Sequence, residues 1–130
     1  MGEPMTHFEL STEEFLVQQQ KSESEEAFQA RVVDLAHVYG WRVASFRPVR
    51  VQRANGSTYY QTPFGDDGVG FPDLLLVRDQ VVYAELKAQN GILRPDQRDW
   101  RDALLAAGAI HYVWRPSDWP MVERTLGVQR

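Results

Sequence analysis

Two short apolar runs separated by one polar break are the feature that most constrains the fold of this chain. The runs Asp73–Arg78 and Val81–Lys87 are rich in Leu, Val, Tyr and Ala and are too short for typical helices. They predict two strands of a hairpin. Glu85 and Lys87 share one face of the second strand, because strand side chains alternate. Charged groups are costly in a buried strand, so this face calls for an explanation.

The register of the predicted hairpin decides whether Asp73 meets Glu85. A strict two-residue turn would pair Asp73 with Leu86 and place the two acids on opposite faces, whereas a three-residue or bulged connection places them on the same face. We infer the second connection. Two carboxylates that converge at a strand end suit a hard divalent cation, Mg²⁺ or Mn²⁺ rather than zinc. The alternative is a solvated strand face with no site.

The remaining pattern predicts an α/β fold with a mixed central β-sheet flanked by helices. Ser22 with Glu25 has capping-box spacing at the start of an amphipathic helix that ends at Gly40. Further along the chain we expect a strand over 41–51, a long loop over 52–70, a helix over 95–107, a strand over 110–114, and a last helix capped by Ser117. The predicted order is α-β-β-β-α-β-α.

Composition and charge divide the chain into an acidic leader and a mildly basic body. Of the net charge of −4, residues 1–26 contribute seven acids against one lysine, and the rest contributes eleven acids against thirteen Lys and Arg. We expect residues 1–22 to be a leader with a short helix after Ser11 or Thr12, and residues 23–130 to be one domain. Without a signal peptide, an apolar membrane span or any cysteine, we expect a cytoplasmic protein with no membrane partner.

Several motifs in this order resemble the PD-(D/E)-x-K nuclease superfamily, and more closely its VRR-NUC branch. Beyond Glu25 in the first helix, the matching segments are GVGFPDLLLVR, VVYAELKAQNG, RPDQRDW and YVWRPSDW. The resemblance covers about residues 23–126. It implies a restriction-endonuclease-like core and a Mg²⁺-dependent endonuclease that hydrolyses phosphodiester bonds in DNA, with Mn²⁺ able to substitute.

The resemblance also implies a role for each residue of the site. Asp73 and Glu85 would bind the metal with the main-chain carbonyl of Leu86, and Lys87 would position the attacking water. Glu25 would complete the acidic cluster, directly, through water or through a second ion. The sequence does not decide between Glu25 and its neighbour Glu26, and either acid also suits a helix N-terminus.

A glutamine near the active site is a further feature of the family. Gln97 lies on the core-facing stripe of the predicted third helix, together with Trp100, Leu104 and Ala107. The resemblance places it among the catalytic residues. A buried amide bonded to backbone is an equally good interpretation.

Four arginines predict a track for the DNA backbone. They lie in a twelve-residue stretch without an acid: Arg42, Arg47, Arg50 and Arg53. Solvated arginines are the alternative. Relatives by resemblance act on branched DNA, so we expect a Holliday-junction-resolvase-like preference for four-way DNA and a homodimer with two sites. Trp114, Trp119 and Met121 are candidates for its interface. A non-catalytic nucleic-acid-binding module and a general DNA nuclease are the competing functions.

Overall fold

The computed structural model describes residues 10–46, 49–61 and 65–127. These residues form a mixed α/β structure with four α-helices and six strands. In chain order they are α1 (Thr12–Ser22), α2 (Glu25–Val38), β1 (Arg42–Ser45), β2 (Val49–Gln52), β3 (Thr58–Gln61), β4 (Leu74–Val77), β5 (Val81–Leu86), α3 (Pro95–Ala106), β6 (Ile110–Trp114) and α4 (Trp119–Leu126). A 3-10 turn, Pro116–Asp118, precedes α4.

The central sheet has four strands in the order β1-β4-β5-β6. β4 pairs antiparallel with both β1 and β5, and β5 pairs parallel with β6, so the sheet is mixed as predicted. α3 supplies the crossover between the two parallel strands, the usual role of a helix in that connection. This arrangement brings the end of β5 beside the start of β4.

The hairpin of β4 and β5 has the three-residue connection that the sequence predicted. Val77 pairs with Val81, which leaves residues 78–80 as the turn. Leu74 pairs with Ala84 at the other end, so the same register places Asp73 opposite Glu85. The two acids therefore lie on one face of the sheet.

One face of the sheet packs on α2 and α4 and forms the main core. The fully buried side chains at this contact come from both layers: Phe28, Val32, Ala36, Leu74, Leu76, Val82, Ala84, Leu86, Trp114, Val122 and Leu126. Removing this apolar surface from water is the main source of stability. Because Trp114 is part of this core, it is not available for the predicted dimer interface. Met121 is 45% exposed and Trp119 packs partly on the core.

Arg78 in the β4–β5 turn ties the ends of two helices to the sheet. Its guanidinium donates to the main-chain carbonyls of Tyr39 at 2.9 Å, Leu126 at 3.2 Å and Gly127 at 2.9 Å. It also lies 4.5 Å from the centre of the Trp41 ring. A cation suits this position, because helix ends present carbonyls without partners in the helix.

The region between β1 and β4 differs from the prediction. The expected single strand over 41–51 is two strands, β1 and β2, which belong to different sheets. The expected long loop contains β3, which pairs with β2 around Asn55-Gly56 in a separate two-stranded sheet. The order α-β-β-β-α-β-α was therefore wrong in this region, where a hairpin had been overlooked.

Two predicted helix caps were also wrong. The cap of α2 is Ser24, whose hydroxyl accepts from the amide of Ala27 at 3.0 Å, and not Ser22, which is the last residue of α1. Ser117 lies inside the 3-10 turn, and Asp118 precedes α4. In each case a serine one or two residues from the observed cap is also a residue type that favours helix N-caps, so the sequence pattern placed the boundary at the wrong residue.

The predicted leader helix is α1, which begins after Ser11 and buries none of its residues. Only two residues separate it from α2. Glu23 in this junction forms a two-pronged ion pair with Arg31 at 2.9 and 2.7 Å. No helix among the described residues is long and apolar enough to cross a membrane.

Candidate active site

Asp73 and Glu85 lie opposite each other where β4 begins and β5 ends. Directly opposed side chains in an antiparallel pair have Cβ atoms about 5 Å apart. One carboxylate oxygen of Asp73, Oδ2, accepts a 2.8 Å hydrogen bond from the amide of Leu86. Glu85 is only 2% exposed. A nearly buried acid is thus held opposite a half-buried one, and nearby positive charge would offset the repulsion between them.

Gln97 is the residue of α3 that meets this acidic pair. Its Nε2 donates to Oε1 of Glu85 at 2.9 Å, and its Oε1 accepts from the amide of Arg94 at 2.9 Å. The side chain is 7% exposed. One amide therefore bonds both to backbone and to a predicted site residue, and the catalytic role of Gln97 stays a prediction.

Lys87 and Glu25 complete the cluster. The Nζ of Lys87 lies 3.9 Å from Oε1 of Glu25, and the whole lysine residue is 6% exposed. The amide of Lys87 donates to the carbonyl of Trp114 at 3.0 Å, which extends the pairing of β5 with β6 past the end of β5. Glu26 is exposed. Of the two adjacent glutamates, Glu25 is the one that the fold turns toward the lysine.

The donor set fits a magnesium-type ion. When all are charged, Asp73, Glu85 and Glu25 against Lys87 leave an excess of two negative charges, which a divalent cation would balance. Among residues 10–46, 49–61 and 65–127, no group of three or more His, Cys, Asp and Glu side chains converges as a metal site. A magnesium ion commonly uses one or two carboxylates and keeps several waters, so the pair Asp73 and Glu85 meets its requirement. Glu25 lies beside Lys87 instead of forming a third converging ligand.

The predicted arginine track is not one continuous strand. Arg42 is exposed and pairs with Val77, at the end of the sheet far from Asp73. Arg53 lies at the β2–β3 turn with its guanidinium 4.2 Å from the Tyr59 ring centre. Arg47 lies outside the described residues, and of Arg50 only its pairing with Tyr60 is described.

The β2–β3 hairpin begins close to the acidic pair. The amide of Phe46, three residues before β2, donates to the carbonyl of Asp73 at 2.9 Å. Three residues span at most about 11 Å, so chain connectivity keeps Val49 near the site. The rings of Phe46 and Phe71 also contact each other edge to face, with their centres 5.2 Å apart. This contact lies where the segment between β1 and β4 begins and ends.

Sequence reasoning missed the contacts that fix the segment between Lys87 and α3. Arg115 donates twice to the carbonyl of Gly91, at 3.2 and 2.7 Å, and Gln89 forms two hydrogen bonds with Ser117, at 2.8 and 2.9 Å. No local pattern signals such long-range pairs of polar residues.

The N-terminus of α3 is closely approached by the loop before β4. Gly70 has φ +91°, and a Cβ built on it would lie 2.6 Å from the backbone carbon and oxygen of Asp96. Burial raises the pKa of the Asp96 carboxyl, but the hydrogen bond and the charge of Arg94 outweigh it and hold that pKa below its usual value. The close approach fixes the helix that carries Gln97.

Comparison of this chain with protein-family models, curated proteins and solved structures found no match.

Proposed function

We propose that this chain is a Mg²⁺-dependent nuclease of the PD-(D/E)-x-K, VRR-NUC-like type that hydrolyses phosphodiester bonds in DNA. The observation that carries the proposal is the opposition of Asp73 and Glu85, with Gln97 bonded to the second acid. Lys87 follows two residues later along the chain and is almost fully buried. An ordinary solvated strand face would leave these groups in water.

The residues that would hold the ion are Asp73 and Glu85, with the main-chain carbonyl of Leu86 as a third oxygen donor. The chemistry that bound Mg²⁺ supplies is stabilisation of negative charge on the scissile phosphate and a lower pKa for the attacking water. Gln97 fixes the rotamer of Glu85. Lys87 orients the water with its ammonium group, and Glu25 holds that ammonium group in place.

The test is cleavage of end-labelled DNA by the full chain with Mg²⁺, Mn²⁺ or EDTA. We expect cleavage with either ion and none with EDTA. Glu85→Gln and Asp73→Asn keep the shape of each side chain but remove its charge, so each should reduce the rate at least a hundredfold. The matched control is Glu26→Gln, which changes an exposed acid next to the site. Cleavage by Glu85→Gln at the wild-type rate would contradict the assignment.

Metal binding gives a second readout that does not depend on turnover. A ligand that binds only the folded state stabilises it in proportion to RT ln(1 + [L]/Kd). Mn²⁺ should therefore raise the unfolding temperature of the wild type and of Glu26→Gln, but not that of the double variant with Asp73→Asn and Glu85→Gln. Equal shifts in all three proteins would place the ion elsewhere.

Four-way DNA is the proposed preferred substrate, and a homodimer is the proposed active form. The family that the sequence resembles acts on branched DNA, so DNA shape is the expected cue. Two matched cuts across a junction need two sites, which a symmetric dimer provides. The test compares cleavage of four-way, flapped and linear DNA of equal length, with sedimentation of the protein and its complexes. A monomer that cuts all three equally would be a general nuclease, and binding without cleavage under every ion would indicate a non-catalytic module.

A further inference from the structure

The segment between Lys87 and α3, residues 88–94, carries a highly exposed aliphatic side chain. Ile92 is 80% exposed, the highest value among the large hydrophobic residues that the structure describes as exposed. Single exposed apolar residues are common on protein surfaces and need no explanation by themselves. The position of Ile92 and the rigidity of its segment are what distinguish it.

The segment is held on both sides by side chains from the region after β6. Gln89 donates to the hydroxyl of Ser117 and accepts from its amide, and the guanidinium of Arg115 donates twice to the carbonyl of Gly91. The amide of Gly91 closes a turn on the carbonyl of Ala88 at 2.9 Å. Ile92 follows directly, so its backbone leaves a turn that these contacts anchor.

The anchored turn lies against the side chain of Lys87. A Cβ built on Gly91 would lie 3.4 Å from Cδ of Lys87. Adding the bond to Cα and the 3.8 Å step to the next Cα keeps the Cα of Ile92 within about 9 Å of that atom. The backbone of Ile92 therefore lies beside the lysine of the proposed site.

Exposed arginines, interleaved with aspartates, follow Ile92 along the chain. The side chain of Arg94 is 61% exposed and lies 3.3 Å from Asp96, an exposed ion pair of the kind that contributes little. Arg98, one helical turn later, is also exposed. An aliphatic side chain followed by exposed arginines is the combination with which many proteins insert into a base stack while holding the adjacent phosphates.

We propose that Ile92 is a wedge that enters the base stack of DNA beside the scissile phosphate and makes the site selective for duplex that unstacks easily. The inference rests on the proposed nuclease function and deepens it. Isoleucine is branched at Cβ and stiff at χ1, so little conformational freedom is lost on insertion. Unstacking costs least where pairing is already interrupted, as at a branch or a mismatch. The wedge gives the proposed site a means to recognise DNA shape without reading sequence.

The test is the fluorescence of 2-aminopurine placed at the branch of a four-way DNA, with binding followed by anisotropy in EDTA at low salt. Unstacking raises this fluorescence, and no cleavage is needed to observe it. Saturating wild-type protein should raise the signal, and Ile92→Ala and Ile92→Ser should abolish most of the rise. Ile92→Leu should restore it. The matched control is Val38→Ala, because Val38 is 77% exposed but ends α2 about 20 Å from Glu25.

Cleavage provides the second arm. With Mg²⁺, Ile92→Ala should reduce the ratio of cleavage rates on branched and linear DNA about tenfold, as expected for one lost apolar contact. Wild-type fluorescence and wild-type preference in Ile92→Ala would overturn the wedge while leaving the nuclease intact. Wild-type protein that unstacks DNA but never cleaves it would support the wedge and contradict the nuclease. Absence of any DNA binding would overturn both.

Discussion

Gln97 donates a 2.9 Å hydrogen bond to Glu85 across the contact between α3 and the sheet. The same amide accepts from the backbone amide of Arg94, the N-cap residue of α3. One side chain therefore satisfies a helix end and fixes the orientation of a nearly buried carboxylate. Gln97 therefore joins the stability of α3 to the geometry of the candidate site. A substitution can remove its bond to Glu85 while keeping its bond to Arg94.

Replacing Gln97 with Glu tests the link. The variant keeps an oxygen to accept from Arg94 but replaces the donor with a carboxylate that faces Glu85. We expect the free energy of unfolding at pH 7 to fall by about 1–3 kcal/mol, from a lost hydrogen bond and like-charge repulsion. The repulsion raises the folded-state pKa of the new acid, so the deficit should shrink as the pH falls through that raised pKa.

Urea unfolding between pH 5 and pH 8 measures this effect. The control is Gln80→Glu, an exposed position in the β4–β5 turn, which should change the stability by less than about 0.5 kcal/mol. A deficit in Gln97→Glu that is the same at every pH would mean that the new carboxylate does not face Glu85.

Arg78→Ala should be among the most damaging single changes outside the apolar core. It removes three hydrogen bonds from a charged donor to the ends of α2 and α4 and leaves half-buried carbonyls without that donor. We expect a loss of about 2–4 kcal/mol. Arg124→Ala, which changes an exposed arginine of α4, is the comparison. Equal stability of the two variants in urea would show that the contacts of Arg78 contribute no more than those of Arg124.

The site was more predictable from sequence than the segment before it. The requirement that Asp73 and Glu85 share a face was enough to select the three-residue turn that the structure has. β3 was missed although Asn55-Gly56 is a strong hairpin signal. The alternating run VRVQ was assigned to one longer strand over 41–51, which left β3 without a predicted partner. The bracing by Gln89, Ser117 and Arg115 was unpredictable because polar pairs far apart in sequence leave no periodic signal.

His111 gives the fold a dependence on pH. It lies in β6 opposite Tyr83, and neither ring nitrogen has a hydrogen-bond partner among the described residues. Burial lowers the pKa of His111 below its usual value, Arg101 lowers it further, and Asp102 opposes them. Between the folded-state and unfolded-state pKa values of His111, the unfolded chain binds a proton at this residue and the folded protein does not. The contribution of neutral His111 to stability is fully present above the unfolded-state pKa of about 6.5. It is lost as the pH falls through the folded-state pKa.

Replacing His111 with Gln should remove this loss, because an amide does not take up a proton. The measurement is the slope of unfolding free energy against pH between 7 and 5, to which one histidine contributes at most about 1.4 kcal/mol per unit. His37→Gln is the matched control, since His37 is exposed. The prediction fails when both variants keep the slope of the wild type.

Gly70→Ala should separate two costs that a glycine can avoid. At φ +91° any other residue is strained, and the new Cβ would also lie 2.6–2.9 Å from backbone and Cβ atoms of Asp96. Backbone atoms at the start of a helix cannot move aside cheaply. Gly108→Ala has nearly the same φ, +85°, but nothing within 4 Å of the new Cβ. It should cost only the conformational strain, about 1–2 kcal/mol, whereas Gly70→Ala should cost about 1–3 kcal/mol more.

Because the loop at Gly70 packs on the helix that carries Gln97, Gly70→Ala should also weaken Mn²⁺-dependent stabilisation, and Gly108→Ala should not. Equal losses of stability in the two variants would show that the approach of Gly70 to Asp96 is not a tight contact.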